Sequence, residues 1–254
     1  MAVTPSGKDK VLKYARLYVG GFDLSGDLRD FGTIENSYES ASMLGVSETT
    51  DNFLAAGSLM TAINGLQVLM NDTATSGSHT LLSSAPNQSQ VSIHFGGGGA
   101  PAVGDPGYLL PTEQLGDAIS IDAASAVMAA NFAFDQRQYS GNITKVFGIV
   151  MRGNTSLSAT LTASSTNSVD QGAQSTAGWA AHIHILSTSS GNFALSIEDS
   201  ADDSAFGTLG TFTTTGGSVG SELLTGSGTV ERYVAFDAQR TAGTITAIVT
   251  FTRG

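Results

Sequence analysis

Short runs of alternating apolar and polar residues recur along this chain, and each run ends at residues typical of turns. The clearest is QVSIHF at positions 90–95. Its alternation places three residues inward (Val91, Ile93, Phe95) and two outward (Ser92, His94). A period of two predicts strands rather than helices. With 31 glycines, 41% hydrophobic and 13% charged residues, the composition favours an all-β chain with enough apolar residues for real cores.

The first strands are predicted near the start of the chain. Leu12 to Val19 alternates and ends at Gly20-Gly21, which predicts a hairpin because glycine adopts positive φ at no steric cost. The apolar residues between Gly57 and Met70 fit either a helix or a long strand. One short helix should follow, capped by Asp72 or Thr73 and ended by Pro86.

A second hairpin is predicted from Leu115 to Ile121 and from Ala124 to Phe134, with two unlike faces. One face is expected to be a core, since it carries large apolar residues: Leu115, Ile119, Ile121, Met128, Phe132 and Phe134. The other face is small and weakly acidic: Gly116, Ala118, Ser120, Ser125, Ala129, Asn131, Ala133 and Asp135.

The second half of the chain predicts a small β-sandwich. Four strands are expected, at 179–186, 192–198, 229–237 and 244–252, with Gly, Ser, Thr and Asp turns between them. The segment Asp135 to Ile143 has the composition of a linker. The sequence therefore predicts two domains, at residues 1–140 and 145–254.

Charge is distributed very unevenly. The net charge is -11, and residues 30–136 contain no Lys or Arg. Their acids are Asp30, Glu35, Glu39, Glu48, Asp51, Asp72, Asp105, Glu113, Asp117, Asp122 and Asp135. Such a block keeps a protein soluble and repels nucleic-acid phosphate. Within it, Glu35 to Asp51 is polar and aperiodic, which predicts a long functional or mobile loop.

Candidate chemical motifs all have a simpler explanation. The G-x-S-x-G pattern at 216–220 lacks the strand-then-helix frame of a nucleophile elbow. His182 and His184 are expected on the solvent face of a strand, opposite Trp179, with no third zinc ligand. The acids at 198–203 lack the spacing of a calcium loop, and the glycines at 96–99 form no nucleotide-binding motif. No catalytic, cofactor-binding or metal-binding residue is predicted, and the protein is not expected to be an enzyme.

Further exclusions concern location. The chain has no Cys, so it has no disulfide and no thiol nucleophile. No apolar run is long enough for a membrane span, and MAVTPSGKDK is no signal peptide. Assembly inside a cell is expected.

The first part of the chain resembles the tail tube (major tail) proteins of long-tailed bacteriophages. The likeness rests on five features over roughly residues 8–140. They are the hairpin ending in GFDLSG (21–26), the polar loop from Glu35, the strand before Asn71-Asp72-Thr73 with its short helix, Gly104-Asp105 leading into a strand, and the hairpin Ile119 to Phe134. The second part looks like β-rich accessory domains of phage structural proteins.

This resemblance implies a tail-tube-type β-sandwich or partial barrel, followed by a small β-sandwich on the outer surface. In the family, an inner sheet joins six subunits into a ring, and stacked rings form a conduit for DNA. The implied partners are further copies of the chain and other tail proteins (terminator, tape measure, distal tail), without specific DNA binding and without a membrane. The implied place is the virion tail, assembled in the host cytoplasm.

The residues suggest how such a tube would be built. A channel wall must offer DNA no cationic phosphate contacts, which suits the small face of the second hairpin. The lumen-facing candidates are Ser120, Asp122, Ser125, Asn131, Ala133 and Asp135. The ring-stacking loop candidates are Glu35, Tyr38, Glu39, Glu48 and Asp51, with the lysine-bearing first strand as a possible partner. The alternatives are a capsid decoration or cement protein, and a carbohydrate-binding tail adhesin.

Overall fold

The computed structural model describes residues 14–42, 53–74, 77–84, 90–97, 99–122, 127–136 and 146–254. Over these residues the protein is mostly β-strand with one short helix, which confirms the predicted all-β class. The elements are β1 Ala15–Val19, β2 Phe22–Asp23, β3 Leu28–Asp30, β4 Thr33–Ser42, β5 Phe53–Leu69, α1 Ser78–Ser84, β6 Gln90–Phe95, β7 Pro106–Asp122, β8 Val127–Gln136, β9 Phe147–Leu157, β10 Ser168–Asp170, β11 Trp179–Ser200, β12 Gly207–Thr211, β13 Gly220–Gly226 and β14 Tyr233–Arg253.

The strands form one connected sheet that has two parts. The main part has the order β12-β11-β14-β9-β7-β6-β1-β2, with β13 paired to β11. The smaller part, here called the hairpin sheet, has the order β4-β5-β8-β7. Strand β7 belongs to both, because its first residues pair with β6 and β9 while residues 112–122 pair with β8. A 17-residue strand thus connects the two parts.

The first core lies between the hairpin sheet and strands β1 and β6. It contains Leu17, Ile63, Leu66, Val91 and Phe132, each essentially inaccessible to solvent. The predicted hairpin at Gly20-Gly21 is confirmed, with φ of 58° and 95°. The face of β1, β5 and β6 that the alternating patterns predicted to be inward lies in this core.

Helix α1 is confirmed, but its predicted caps are wrong. The helix begins at Ser78, and the first turn closes through Leu81 N–H donating to the carbonyl of Gly77. Asp27, on the turn before β3, accepts a hydrogen bond from the Ser78 amide at 3.2 Å. A carboxylate supplied from elsewhere in the chain therefore satisfies an orphan donor that a local cap would otherwise take.

The second core belongs to the second half. It includes the predicted inward face of β11 (Trp179, Ala181, Ile183, Ile185) and, further along the strand, Phe193, Leu195 and Ile197. The four predicted strands are really two long ones, β11 and β14, which pair along their length. Bulges interrupt that pairing between Ile185 and Phe193. A bulge bends a strand without ending it, so both ends of this strand pair reach one core.

Two further predictions on the first half are settled. The polar segment at 33–42 is strand β4, paired with β5, so the prediction of a loop from Glu35 is wrong for this part. Residues 43–52 lie outside the described residues. The ambiguous segment 57–70 is strand up to Leu69, and Gly65, at φ 77°, lies where the register shifts. Pairing with neighbouring strands decided both cases, which local periodicity does not report.

A separate finding concerns membranes. Among the described residues, no helix is both long and apolar enough to cross a bilayer.

Candidate functional site

Three histidines lie where the two halves of the molecule meet. His94 is on β6, and His182 and His184 are on β11; all three side chains have no solvent exposure. The prediction that His182 and His184 face solvent is therefore wrong, as is the outward, exposed placement of Ser92 and His94. The main sheet curls so that the β1-β6 end covers the face of β11 and β14 opposite the second core. Both faces of β6 and of the first part of β11 are consequently buried.

Hydrogen bonds across this interface form a directed chain. The Gly21 amide donates to Nδ1 of His184 at 3.1 Å, so Nδ1 carries no proton and Nε2 does. Nε2 of His184 then donates to Ser92 Oγ at 3.0 Å. The Ser92 hydroxyl in turn donates to Nδ1 of His182 at 2.8 Å. This order puts the proton of His182 on Nε2, a buried atom that has no hydrogen-bond partner.

The third histidine makes a separate contact between the halves. Nε2 of His94 lies 2.6 Å from Oγ1 of Thr250 on β14, while its Nδ1 is buried without a hydrogen-bond partner. The strand β7 backbone passes close by at Gly107, where an added Cβ would lie 3.2 Å from Thr250 and 3.3 Å from His94. An alanine at this position would require its neighbours to shift by a few tenths of an ångström.

Burial keeps the three histidines neutral. It lowers the pKa of His94 and that of His182 to about 3, and it lowers the pKa of His184 well below 6.5. The neighbouring histidines lower the pKa of His182 and His184 further. Asp105 acts in the opposite direction on the pKa of His94, but burial outweighs it. A neutral imidazole between two packed layers is the expected result, since desolvation disfavours its charged form.

Two more contacts complete the interface. The Tyr18 ring, which is buried, meets the His94 ring edge-on at a centroid distance of 5.2 Å. Burial raises the pKa of the Tyr18 hydroxyl. At the rim, Nδ2 of Asn154 on β9 donates to the carboxylate of Asp23 at 3.0 Å. The two halves thus share a continuous polar interface between two apolar cores. Whether residues 145–254 form an outer accessory domain stays a prediction.

The remaining motifs have structural explanations. Gly220, the last residue of the G-x-S-x-G pattern, lies against the first hairpin, where a Cβ added to Gly21 would come within 2.5 Å of the Gly220 nitrogen. Asp202 caps the turn after β11 by accepting from the amides of Ser204 and Ala205. Among the described residues, no group of three or more His, Cys, Asp or Glu side chains is arranged to hold a metal ion.

The lumen-facing candidates fall on the hairpin sheet. In the pairing of β7 with β8, Ser120 is opposite Ala129, Asn131 opposite Ala118, and Ala133 opposite Gly116. Asp122 pairs with Val127, and Asp135 with Glu113. Directly opposed residues share a face, so the register groups these candidates on one side, as their parity predicts. Ser125 lies outside the described residues, and the lumen role of the set stays a prediction.

The opposite face of this hairpin is only partly a core. Phe132 is buried, but Ile119 and Met128 are 46% and 43% exposed, so the prediction of a continuous core face is wrong near the turn. The physical reason is length: the hairpin extends past the first core, and among the described residues no second layer covers Ile119 and Met128. Ile119 pairs with Ala130 and Met128 with Ile121, which makes Ile119 and Met128 diagonal neighbours on one exposed apolar surface.

The ring-stacking candidates divide into two groups. Glu35, Tyr38 and Glu39 lie on β4 rather than in a loop, and β4 is an edge strand of the hairpin sheet. Glu48 and Asp51 lie outside the described residues, as do the lysines before Tyr14. The stacking role of all five stays a prediction.

Sequence reasoning missed the histidine interface, although the chain carried a signal for it. The stretch WAAHIHIL at 179–186 has no charged residue, and neither has QVSIHF at 90–95. A strand with one face in water usually carries charged or strongly polar residues on that face. Two alternating strands whose outward residues are only Ala, Ser and His therefore indicate burial on both faces.

Comparison with known proteins identifies no family for this chain. No protein-family profile matches the sequence, and no curated protein matches it.

Proposed function

We propose that this protein is a subunit of the tail tube of a long-tailed bacteriophage, assembling into stacked rings that form a conduit for DNA. The observation that carries the proposal is the hairpin sheet, which has two unpaired edges among the described residues and no Lys or Arg on its four strands. The resemblance noted in the sequence supplies the family, and three features of the described residues support it.

The first feature is the pair of open edges. Within the described residues, β4 and the short strand β3 each pair only with β5. Residues 112–122 of β7 pair only with β8. These edges lie on opposite sides of the sheet, so the β4 edge of one copy is complementary to the β7 edge of the next. Such a heterologous contact generates a ring when the rotation closes. Open edges of this length are otherwise an aggregation hazard.

The second feature is charge. Six carboxylates and no Lys or Arg lie on β4, β5, β8 and residues 112–122 of β7: Glu35, Glu39, Glu113, Asp117, Asp122 and Asp135. The short strand β3, which also pairs with β5, adds one cation and one acid, Arg29 and Asp30. Glu113 and Asp135 are directly opposed in the register, although like charges in that position destabilise a sheet. An acidic wall repels DNA phosphates and lets the duplex slide. The opposed carboxylates do not favour stability, whereas repulsion of DNA phosphates would account for them.

The third feature is the exposed apolar surface formed by Ile119 and Met128. Single exposed apolar residues are ordinary, but two adjacent ones near the end of a long hairpin indicate a surface that a partner covers. In a ring or stack, the covering partner is another copy of the chain.

Electron microscopy of the purified protein tests the proposal. We expect hexameric rings or hollow tubes at high concentration. Stable monomers that bind glycans would favour a tail adhesin, and trimers that bind capsid shells would favour a decoration protein.

A pair of proline variants on β4 tests the edge itself. Asn36 and Ser37 are adjacent, and they pair in an unshifted register with Thr61 and Met60. One of two successive N–H groups on an edge strand points to its neighbour and the other to the open edge. Of Asn36→Pro and Ser37→Pro, one should therefore lose a ladder bond and stability, and the other should fold normally but not assemble. A variant with native circular dichroism that still forms tubes would exclude β4 as the joint.

A further inference from the structure

The histidine interface has a property that does not depend on the proposed conduit. Every described hydrogen bond of His94, His182 and His184 to another side chain or to Gly21 reaches from the first half of the chain to the second. Direct strand pairing between the halves is short by comparison, since β7 and β9 pair over three residue pairs. Further backbone hydrogen bonds flank this pairing, from Gly104 to Val150, from Val150 to Asp105 and from Leu109 to Val146. The histidines are therefore one of two groups of polar contacts between the halves, and the group that can take up protons.

Adding a proton to any of the three histidines removes a hydrogen bond or buries an unsatisfied donor. Nδ1 of His184 accepts from the Gly21 amide, so a proton there sets two donors against each other. Nδ1 of His182 accepts from the Ser92 hydroxyl. If Nδ1 were protonated, this hydroxyl would face two N–H donors and would lose the acceptor for its own proton. His94 already has one buried nitrogen without a hydrogen-bond partner, so its imidazolium would bury an unsatisfied donor.

We propose that the three histidines are an acid-sensitive latch, which holds the two halves together while neutral and releases them when protonated. The partner that the latch binds is thus the other half of the same chain. Release exposes Ser92, Tyr18 and the outward face of β11 to water.

The charged groups around the cluster do not remove this sensitivity. On the β6-β7 side, Asp105 favours a proton on His94. On the β1-β2 side, Asp23 and Arg16 act on Tyr18 with opposite signs. Glu222 of β13, which pairs with Ile183, accepts hydrogen bonds from the amides of Thr213 and Thr214. Among the described groups, no carboxylate hydrogen-bonds to any of the three imidazoles, so none is placed to stabilise an imidazolium directly.

The sign of the pH effect follows from the direction of the shifts. The folded-state pKa of each histidine lies below its unfolded value of about 6.5, so the stabilisation is complete above pH 6.5 and is lost as the pH falls. Each histidine can raise the opening constant by about tenfold per pH unit. Three histidines together can raise it by roughly a thousandfold per unit.

Hydrogen exchange of the full chain between pH 7 and pH 5 tests the latch. After correction for intrinsic exchange, the Gly21 amide should lose protection steeply, while the Ser196 amide, which faces Asp237 in the pairing of β11 with β14, should keep it. Parallel loss at both amides would mean global acid unfolding, and no loss at Gly21 would mean that the cluster is inert; either result overturns the proposal.

Variants sharpen the test. His182→Asn keeps an acceptor for Ser92 but cannot take up a proton, so it should lower the pH slope of Gly21 exchange by about one proton. His79→Gln is the matched control, because His79, on α1, is the one histidine outside the cluster, and its slope should equal that of the wild type. Equal slopes for both variants would overturn the proposal. If His182→Asn does not fold, the exchange measurement on the wild type still decides.

Discussion

The amide of Gly21 donates a hydrogen bond to Nδ1 of His184, 163 positions further along the chain, at 3.1 Å. This contact joins a hairpin turn of the first half to a buried strand of the second half. The contact has Gly21 at φ 95° and the Gly220 backbone immediately beside it. The positions of Gly21, His184 and Gly220 therefore depend on one another. Single substitutions at these positions can therefore test the interface.

Gly21→Ala should destabilise the protein strongly. A Cβ at this position would lie 2.5 Å from the backbone nitrogen of Gly220, and the positive φ disfavours any L side chain. Left-handed strain and overpacking together should lower the free energy of unfolding by roughly 2–5 kcal/mol. Urea unfolding measures this.

Gly20→Ala is the matched control for that variant. Gly20 also has a positive φ, 58°, but an added Cβ would meet nothing within 4 Å. It should show only the backbone strain, about 1–2 kcal/mol. Equal losses for the two variants would mean that the Gly220 contact has no energetic role.

Gly210→Ala should disturb the only tryptophan. A Cβ on Gly210 of β12 would lie 2.5 Å from Cη2 of Trp179, which is buried in the second core. Overpacking of this kind costs about 1–3 kcal/mol. We expect a shifted Trp179 emission spectrum and a lower melting temperature. Gly207→Ala, on the same strand with nothing within 4 Å of its Cβ, should change neither.

Glu198→Gln should stabilise the protein at pH 7. Burial and then the neighbouring Asp237 raise the pKa of Glu198. A raised folded pKa means that the ionised form is less favourable in the folded state, so stability is lost as the pH rises through that pKa. The gain from glutamine should shrink on acidification, because Glu198 itself becomes neutral. Urea unfolding at pH 7 and pH 4 measures the difference.

A double variant tests the cause of the stabilisation by Glu198→Gln. Asp237→Asn removes a charge that raises the pKa of Glu198, so the gain from Glu198→Gln at pH 7 should be smaller in the Asp237→Asn protein. An unchanged gain would mean that burial alone accounts for the shift.

Asn131→Lys tests the inside of the proposed tube. With one lysine per subunit, a ring would place about six cations around the channel. Because phosphate contacts release counterions, assembled particles should eject DNA slowly at low salt and faster at high salt. Thr241→Lys, at an exposed position of β14, is the control and should eject normally. A defect in the control but not in Asn131→Lys would reverse our assignment of inside and outside.

Local sequence was enough for the elements whose environment is decided by their own residues. Gly20-Gly21 predicted the first hairpin, because only glycine adopts positive φ without strain. The alternation from Gly116 to Ala133 predicted which residues of the second hairpin share a face, because strand parity has a period of two. The inward face of β11 beginning at Trp179 was predicted for the same reason. Each inference needed only covalent geometry and neighbouring residues.

Tertiary structure alone decided the rest. Residues 33–42 became a strand because β5 was available to pair with them, and β11 continued past Ile185 because a bulge bends a strand without ending it. His94 and His182 were predicted to be exposed, since one side of their strands was already a core face. The curled sheet supplied a second layer that covers the other side. A sequence specifies what each face can tolerate, whereas long-range pairing determines whether that face meets water or another strand.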